Sequence, residues 1–238
     1  DDGALWVAKF PLEKDRWNTP VVEAAMLSLA RRAGLHVADH RIQRVGDKSV
    51  LLVKRFDREA SAGHWLRSRM VSGLTVLTAD DSITDRHRWS YPLLAEQLGR
   101  WTSDPRRARL ELFSRIAFNA LISNTDDHPR NHALIAPAQD WHLSPAYDLT
   151  PSPSHSHERR LAMSIWKDST AATRENLLST APTFELDEHA AREVIDRIKD
   201  TVSTRWELEV REHGGTDADV NAIASAFDYP GFEYAPTI

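Results

Sequence analysis

Apolar residues recur along the chain with two spacings, near two and near 3.6 residues, and the change from one to the other divides it. Residues 5–10 read as a strand, and the expectation is that the chain begins part-way through a sheet. Thr19 and Pro20 predict a helix start, with Thr19 as cap and Pro20 in the first turn. Apolar Val21, Val22, Ala25, Leu29 and Ala30 follow, and Gly34 stops the helix. Residues 41–45 and 49–56 read as strands joined through Gly46, Asp47 and Lys48. The pattern weakens over 57–89, where 61–63 and 79–82 read as loops. Beyond it a helix is expected over 90–101. A longer one capped by Asp104 and Pro105 carries Leu110, Phe113, Ile116, Ala117, Ala120 and Leu121 as a core stripe, up to Ser123. A polar loop over 124–132, a hairpin pairing 133–135 with 141–143, and a polar turn ending at Asp148 come next. Helices over 187–212 and 217–227 close the chain. This order predicts an α+β protein of two lobes, a strand-rich one over 1–57 and a mainly helical one over 58–238.

Composition narrows the class. With 41% apolar residues, eight Trp, seven Phe and 27% charged residues, a chain of 238 residues can bury a core. The formal charge of −5 disfavours direct DNA binding, leaving only local patches such as Arg106, Arg107 and Arg109. There is no cysteine, which excludes disulfides and thiolate chemistry and fits a reducing cytoplasm. No apolar run approaches membrane-spanning length, so no membrane contact is expected.

Chemistry concentrates in the loop Asn124-Thr125-Asp126-Asp127-His128-Pro129-Arg130-Asn131. Phosphoryl transfer needs a carboxylate beside the attacking hydroxyl, oxygen ligands for magnesium and a cation on the phosphates. Asp126 and Asn131 have the Asp-to-Asn spacing of a kinase catalytic loop, and Asp148 follows behind a hairpin, as a second metal-binding acid does. Upstream, Val7-Ala8-Lys9 is similar to the kinase strand lysine, with Glu23 in the first helix as its partner and Glu13 as a rival. Taken singly, Lys9 reads as a solvated strand lysine, Glu23 as an acid at the helix dipole, and Asp126 with Asp127 as turn residues. Asp127→Ala is expected to be much milder than Asp126→Ala.

The joined segments V-A-K-F-P, V-K-R-F-D-R, S-N-T-D-D-H-P-R-N-H and L-S-P-A-Y-D-L-T-P resemble the HipA family of bacterial toxin kinases from Lys9 to Pro151, and more loosely beyond. The resemblance implies an ATP- and Mg2+-dependent serine/threonine protein kinase with Asp126 as the catalytic carboxylate. It implies Asn131 and Asp148 as metal ligands, and Lys9, Glu23 and His128 at or near the phosphates. It places Phe56 and Asp57 in a connector whose backbone holds adenine and whose Asp reaches ribose; Lys54 departs from the acid expected in that motif, and the competing reading of Asp57 is an ion pair with Arg55 or Arg58. The family's glycine- and serine-rich phosphate loop, with its regulatory serine, is absent from these residues; either it lies upstream of Asp1 or the protein is less active than its relatives. The resemblance further implies an aminoacyl-tRNA synthetase such as glutamate-tRNA ligase as protein substrate, a HipB-like antitoxin as partner, and DNA contact only through that antitoxin.

Two other readings compete. Asp127, His128, His132, His142 and Asp148 contain metal-ligating types suited to a hydrolase, although Pro129 breaks the helix that would align His128 with His132. A degenerate kinase fold acting as corepressor or antitoxin partner is the other, and the joint presence of Lys9, Asp126, Asn131 and Asp148 argues against it.

Overall fold

The computed structural model describes residues 3–61 and 63–234. Strand β1 (Trp6–Lys9) leads to helix α1 (Thr19–Arg32), then to strands β2 (His40–Val45) and β3 (Lys48–Lys54). The sheet has the order β1-β3-β2 and is antiparallel, with Lys9 and Ile42 both opposite Leu51. Helix α1 covers one face with Val22, Met26 and Leu29, all buried, and Gly34 ends it at φ +93°. The cap differs from expectation: Asn18 holds that position, Thr19 is already helical, and no side chain caps the end. The Asn18 N–H instead donates to Asp219 Oδ1 at 2.7 Å, tying the helix start to the far end of the chain.

Residues 57–89 hold more structure than their pattern suggests. Strands β4 (Arg58–Ser61) and β5 (His64–Arg67) form an exposed hairpin, and β6 (Arg69–Ser72) leads into the one-turn helix α2 (Gly73–Val76). These strands are four residues long and mostly solvent-facing, so they lack the alternation by which a half-buried strand is recognised.

The helical part follows the pattern closely. Helices α3 (Tyr91–Trp101) and α4 (Pro105–Leu121) start where Ser90 Oγ accepts from the Leu93 N–H and Asp104 accepts from the Arg107 N–H. They pack on each other, burying Leu94, Leu98, Leu112, Phe113 and Ile116. Strands β7 (Ala133–Ala136) and β8 (His142–Leu143) form the expected hairpin, and β6 joins it as a third strand in the order β6-β7-β8. Helices α5 (Arg174–Thr180), α6 (Glu188–Glu212) and α7 (Asp217–Ile223) complete the chain; α7 ends earlier than expected and gives way to a 3-10 turn at Ala224–Ala226. Helix α6 packs against both α1 and α4, so one core runs under the sheet and through the helices. Among the described residues no helix is long and apolar enough to cross a membrane. The architecture is a kinase-like α+β fold, a small strand-rich lobe joined to a mainly helical one.

Candidate active site

Strand β1 and helix α1 bring the first charged pair together. Lys9 Nζ lies 2.7 Å from Glu23 Oε1 and 2.5 Å from Asp148 Oδ1, so one ammonium bridges the sheet, the helix and the turn after β8. Burial works against the Lys9 charge, but the two carboxylates outweigh it and raise its pKa. Burial also pushes the Glu23 carboxyl above its ordinary range, against the pull of Lys9. Glu13, the rival partner, enters no ion pair among the described residues. Alternation along β1 puts Val7 on the same side of the strand as Lys9, and 49% of Val7 is exposed.

The polar loop hangs from the end of α4 by a residue that sequence reasoning undervalued. Asp127 is buried, and its Oδ2 accepts from Tyr91 Oη at 2.5 Å, Asn119 Nδ2 at 2.7 Å and His132 Nε2 at 3.0 Å. Burial alone would raise its pKa, yet the His132 imidazole and the Tyr91 hydroxyl hold it below the ordinary carboxylate range. The donors come from the start of α3, from α4 and from the loop's own end, so this carboxylate fixes the loop against two helices. The reading of Asp127 as a mere turn residue is therefore corrected.

With Asp127 turned inward, its neighbour Asp126 faces solvent. The turn Pro129–Asn131 folds Asn131 back, and its Nδ2 donates to the Asp126 carbonyl at 3.4 Å. That leaves Asn131 Oδ1 as an oxygen ligand without a hydrogen bond among the described residues. Tyr147 Oη donates to the Arg130 carbonyl at 2.6 Å, and the Arg130 guanidinium pairs with Asp81, so the loop is also held from its outer side. His128 sets its ring edge-on to Trp89, with Nδ1 buried and unpartnered. Behind the loop, the Gly73 N–H donates to the His132 carbonyl at 2.7 Å. A Cβ on Gly73 would meet the Pro129 carbonyl oxygen at 2.6 Å, so only glycine allows this approach.

Phe56, just after β3, packs against Tyr147 with ring centroids 5.7 Å apart, which makes an aromatic wall beside Asp148. Burial raises the Tyr147 phenol to about 12, so it stays a donor. Asp148 itself has φ +60°, a conformation few non-glycine residues adopt, and it occurs where the chain turns to meet Lys9. Asp57 takes the duller alternative: both its oxygens are engaged by Arg55, at 2.8 and 2.7 Å, and Arg58 joins them. Those hydrogen bonds hold its carboxyl below the usual range.

The structure thus unites Lys9, Glu23 and Asp148 directly, links Asp126 to Asn131 on one loop, and pairs Phe56 with Tyr147. Among the described residues no group of three His, Cys, Asp or Glu side chains is gathered as metal ligands, and His132 is committed to Asp127, so the hydrolase set is not assembled. The oxygens present suit a hard cation: Asp148 supplies a carboxylate whose side chain is 41% exposed, and Asn131 a neutral carbonyl. Sequence reasoning missed Tyr91, Asn119 and Gly73. The available signal was Asn119, a polar residue inside an otherwise apolar helix stripe.

Comparison with known proteins places the family and the fold. The chain is 30% identical over 228 residues to "Putative kinase Y4dM" of Sinorhizobium fredii, covering 87% of this chain and 53% of that protein. To "Putative kinase Y4mE" of the same organism it is 25% identical over 170 residues, covering 70% and 39%. The chain therefore spans about half the length, or less, of these curated relatives. Among solved structures, HipA of Shewanella oneidensis MR-1, determined with HipB and operator DNA, superposes with a TM-score of 0.75 at 20% identity, over 95% of this chain and 59% of that one. The Helicobacter pylori proinflammatory kinase CtkA gives 0.59 at 12% identity, over 95% and 90%. At such identities these structures establish the fold. The family model described as HipA-like C-terminal domain matches residues 1–206, and the chain belongs to that family.

Proposed function

We propose that this chain is the catalytic part of a protein kinase that transfers the γ-phosphoryl group of ATP, with magnesium, to a serine or threonine hydroxyl. The observation that carries the reading is the placement of Lys9 between Glu23 and Asp148, on a kinase-like fold whose loop presents Asp126 and Asn131. Bound ATP and Mg2+ would supply the transferable phosphoryl group and the positive charge that stabilises it. Asn131 Oδ1 and the Asp148 carboxylate would hold the cation, and Lys9, aimed by Glu23, would hold phosphate oxygens. Phe56, Tyr147 and exposed Val7 offer an apolar bed for a purine. Asp126, solvent-facing and free of the network that occupies Asp127, would orient the acceptor hydroxyl and take its proton.

Kinship with HipA suggests the partner and the target. The Shewanella relative was solved with HipB and operator DNA. A HipB-like antitoxin is the partner proposed here, with DNA reached through it, and an aminoacyl-tRNA synthetase such as glutamate-tRNA ligase is the proposed substrate. Expression of the full-length gene, followed by comparison of the host phosphoproteome with that from Asp126→Ala, tests both activity and target. New Ser or Thr phosphosites that vanish in the variant are expected. An unchanged phosphoproteome, together with no ATP turnover by the purified protein, overturns the reading.

A further inference from the structure

The two ends of the β7–β8 hairpin differ in kind. One end carries the loop of Asp126 and the turn of Asp148. The other, over residues 137–141, meets the junction of α3 and α4 through a Ser103 N–H to Trp141 carbonyl bond of 3.0 Å. At that far end Trp101 is 52% exposed and stands edge-on to Trp141, with ring centroids 6.4 Å apart at 88°. The Arg69 guanidinium lies over Trp141, 5.3 Å from the ring centre, and donates to the carbonyls of Ala138 and Gln139. Arg100 in the last turn of α3 and Arg106 and Arg107 in the first turn of α4 are exposed.

Among the described residues no carboxylate pairs with these cations, although Arg69 is held by the Ala138 and Gln139 carbonyls and the Trp141 ring. Arg69, Arg100, Arg106 and Arg107 form no ion pair among the described residues, whereas Arg31, Arg32, Arg55, Arg58, Arg109 and Arg130 all do. Arg106 and Arg107 sit in the first turn of α4, at the positive end of the helix dipole, with no acid in that turn. Acids do stand near: Asp104, whose Oδ1 is spent on the Arg107 N–H, exposed Asp140, and Glu96 and Glu111, one helical turn from Arg100 and Arg107, but among the described residues none forms an ion pair with these arginines. Placing unpaired arginines there costs stability, and an exposed indole adds unburied apolar surface. Both costs are offset when an anionic segment with some apolar character covers the patch, since Trp and Arg are the side chains that contribute most at such contacts.

We propose that this face docks an acidic, extended segment of the protein substrate. Complementarity of charge selects the occupant: these exposed arginines lack a carboxylate partner among the described residues, and a short run of Asp or Glu would supply one. The hairpin sets the spacing. The run from the catalytic loop to residue 139 follows β7, on the order of 20 Å at ~3.3 Å per residue. The acidic run therefore lies about six residues or more from the phosphorylated hydroxyl. The inference deepens the kinase reading and rests on it for the meaning of the docked segment, but its test needs no phosphorylation.

The probe is a fluorescein-labelled peptide of six glutamates flanked by Gly-Ser, titrated by anisotropy against the full-length protein, with a six-nucleotide oligouridylate alongside. Binding of the peptide that weakens with added salt is expected, with affinity lowered roughly tenfold in R106E/R107E and several-fold in W101S. Melting temperature and ATP binding should match wild type in both, and Arg100→Glu replaces the double variant if that one fails to fold. Absence of peptide binding by the wild type, or equal binding by the folded variants, overturns the proposal. Tighter binding of the oligouridylate than of the peptide also overturns it and assigns the face to nucleic acid. Loss of ATP binding in the wild type, with peptide binding kept, would sink the kinase reading and leave the docking face standing.

Discussion

The ammonium of Lys9 lies 2.5 Å from Asp148, a residue 139 positions later in the chain, and this contact joins the small lobe to the turn after the β7–β8 hairpin. The two groups neutralise each other. Both are more than a third exposed, so water screens the pair and it adds little to stability. Its consequence is functional: a metal ion at Asp148 and phosphate at Lys9 would replace one pairing with two.

Asp148→Asn should therefore abolish magnesium-dependent nucleotide binding while leaving the melting temperature nearly unchanged, because a hard divalent cation needs an anionic oxygen. Calorimetric titration of ATP with and without Mg2+ checks this. Equal affinity in both conditions for the wild type would count against a metal role for Asp148.

Glu23 gives a pH dependence with a definite sign. Its folded-state pKa is raised, so folding favours its protonated form, and acidification discharges it at a pH above the ordinary glutamate range of ~4.3. Once neutral it no longer aims Lys9. Phosphoryl transfer should accordingly fall on the acid side at a pH higher than a solvent-exposed glutamate would dictate. In Glu23→Gln that limb should vanish and turnover should be low at all pH values. A pH–rate profile of both proteins decides it; an acid limb retained in Glu23→Gln would assign the titration to another group.

Much of this arrangement was legible beforehand, and the parts that were not share a cause. Capped helices and the Asp126-to-Asn131 spacing are local, so Ser90, Asp104 and Gly34 announce their elements in the sequence. Strand β6 pairs with β7 across more than sixty residues, and its four residues show no periodicity of their own. The role of Asp127 is likewise non-local. Three of its neighbours in space, Tyr91, Asn119 and His132, belong to different elements, and nothing in two adjacent aspartates tells which one turns inward. Asp57 shows the reverse case, since its arginine partners are adjacent in sequence and the structure kept that local pairing.

Gly73→Ala tests whether the floor under the catalytic loop matters. The added Cβ would lie 2.6 Å from a backbone oxygen of Pro129, so the loop rather than a flexible side chain must yield. Overpacking of this kind costs about 1–3 kcal/mol. Turnover should drop further than the loss of folded protein explains, because the displaced segment carries Asp126 and Asn131. Unaltered kcat with a lowered melting temperature would show that the loop tolerates the shift.

The sharpest comparison sets Asp126 against Asp127. Asp126 is exposed and held to the loop only through its backbone carbonyl, so Asp126→Ala should leave melting unchanged and lower turnover by ~10² to 10⁴ through loss of positioning and proton acceptance. Asp127→Ala, expected from sequence to be mild, should instead be severe for a different reason. It strands three buried donors and removes a buried charge from its partners, a loss of about 3–5 kcal/mol. Tyr91→Phe, which deletes one donor, should cost about 1 kcal/mol and retain activity. The pH dependence follows from the lowered pKa of Asp127: its stabilisation is complete above the unfolded value of ~3.9 and is lost as pH falls through the lower folded value. Asp127→Asn should thus melt lower than wild type at neutral pH, with the gap closing on acidification below about pH 4. Single-turnover phosphorylation measured at a temperature where every variant is folded then separates the roles. Activity lost in Asp126→Ala and kept in folded Asp127→Asn places the reaction on Asp126, and the opposite pattern would move the chemistry to the inward-facing carboxylate.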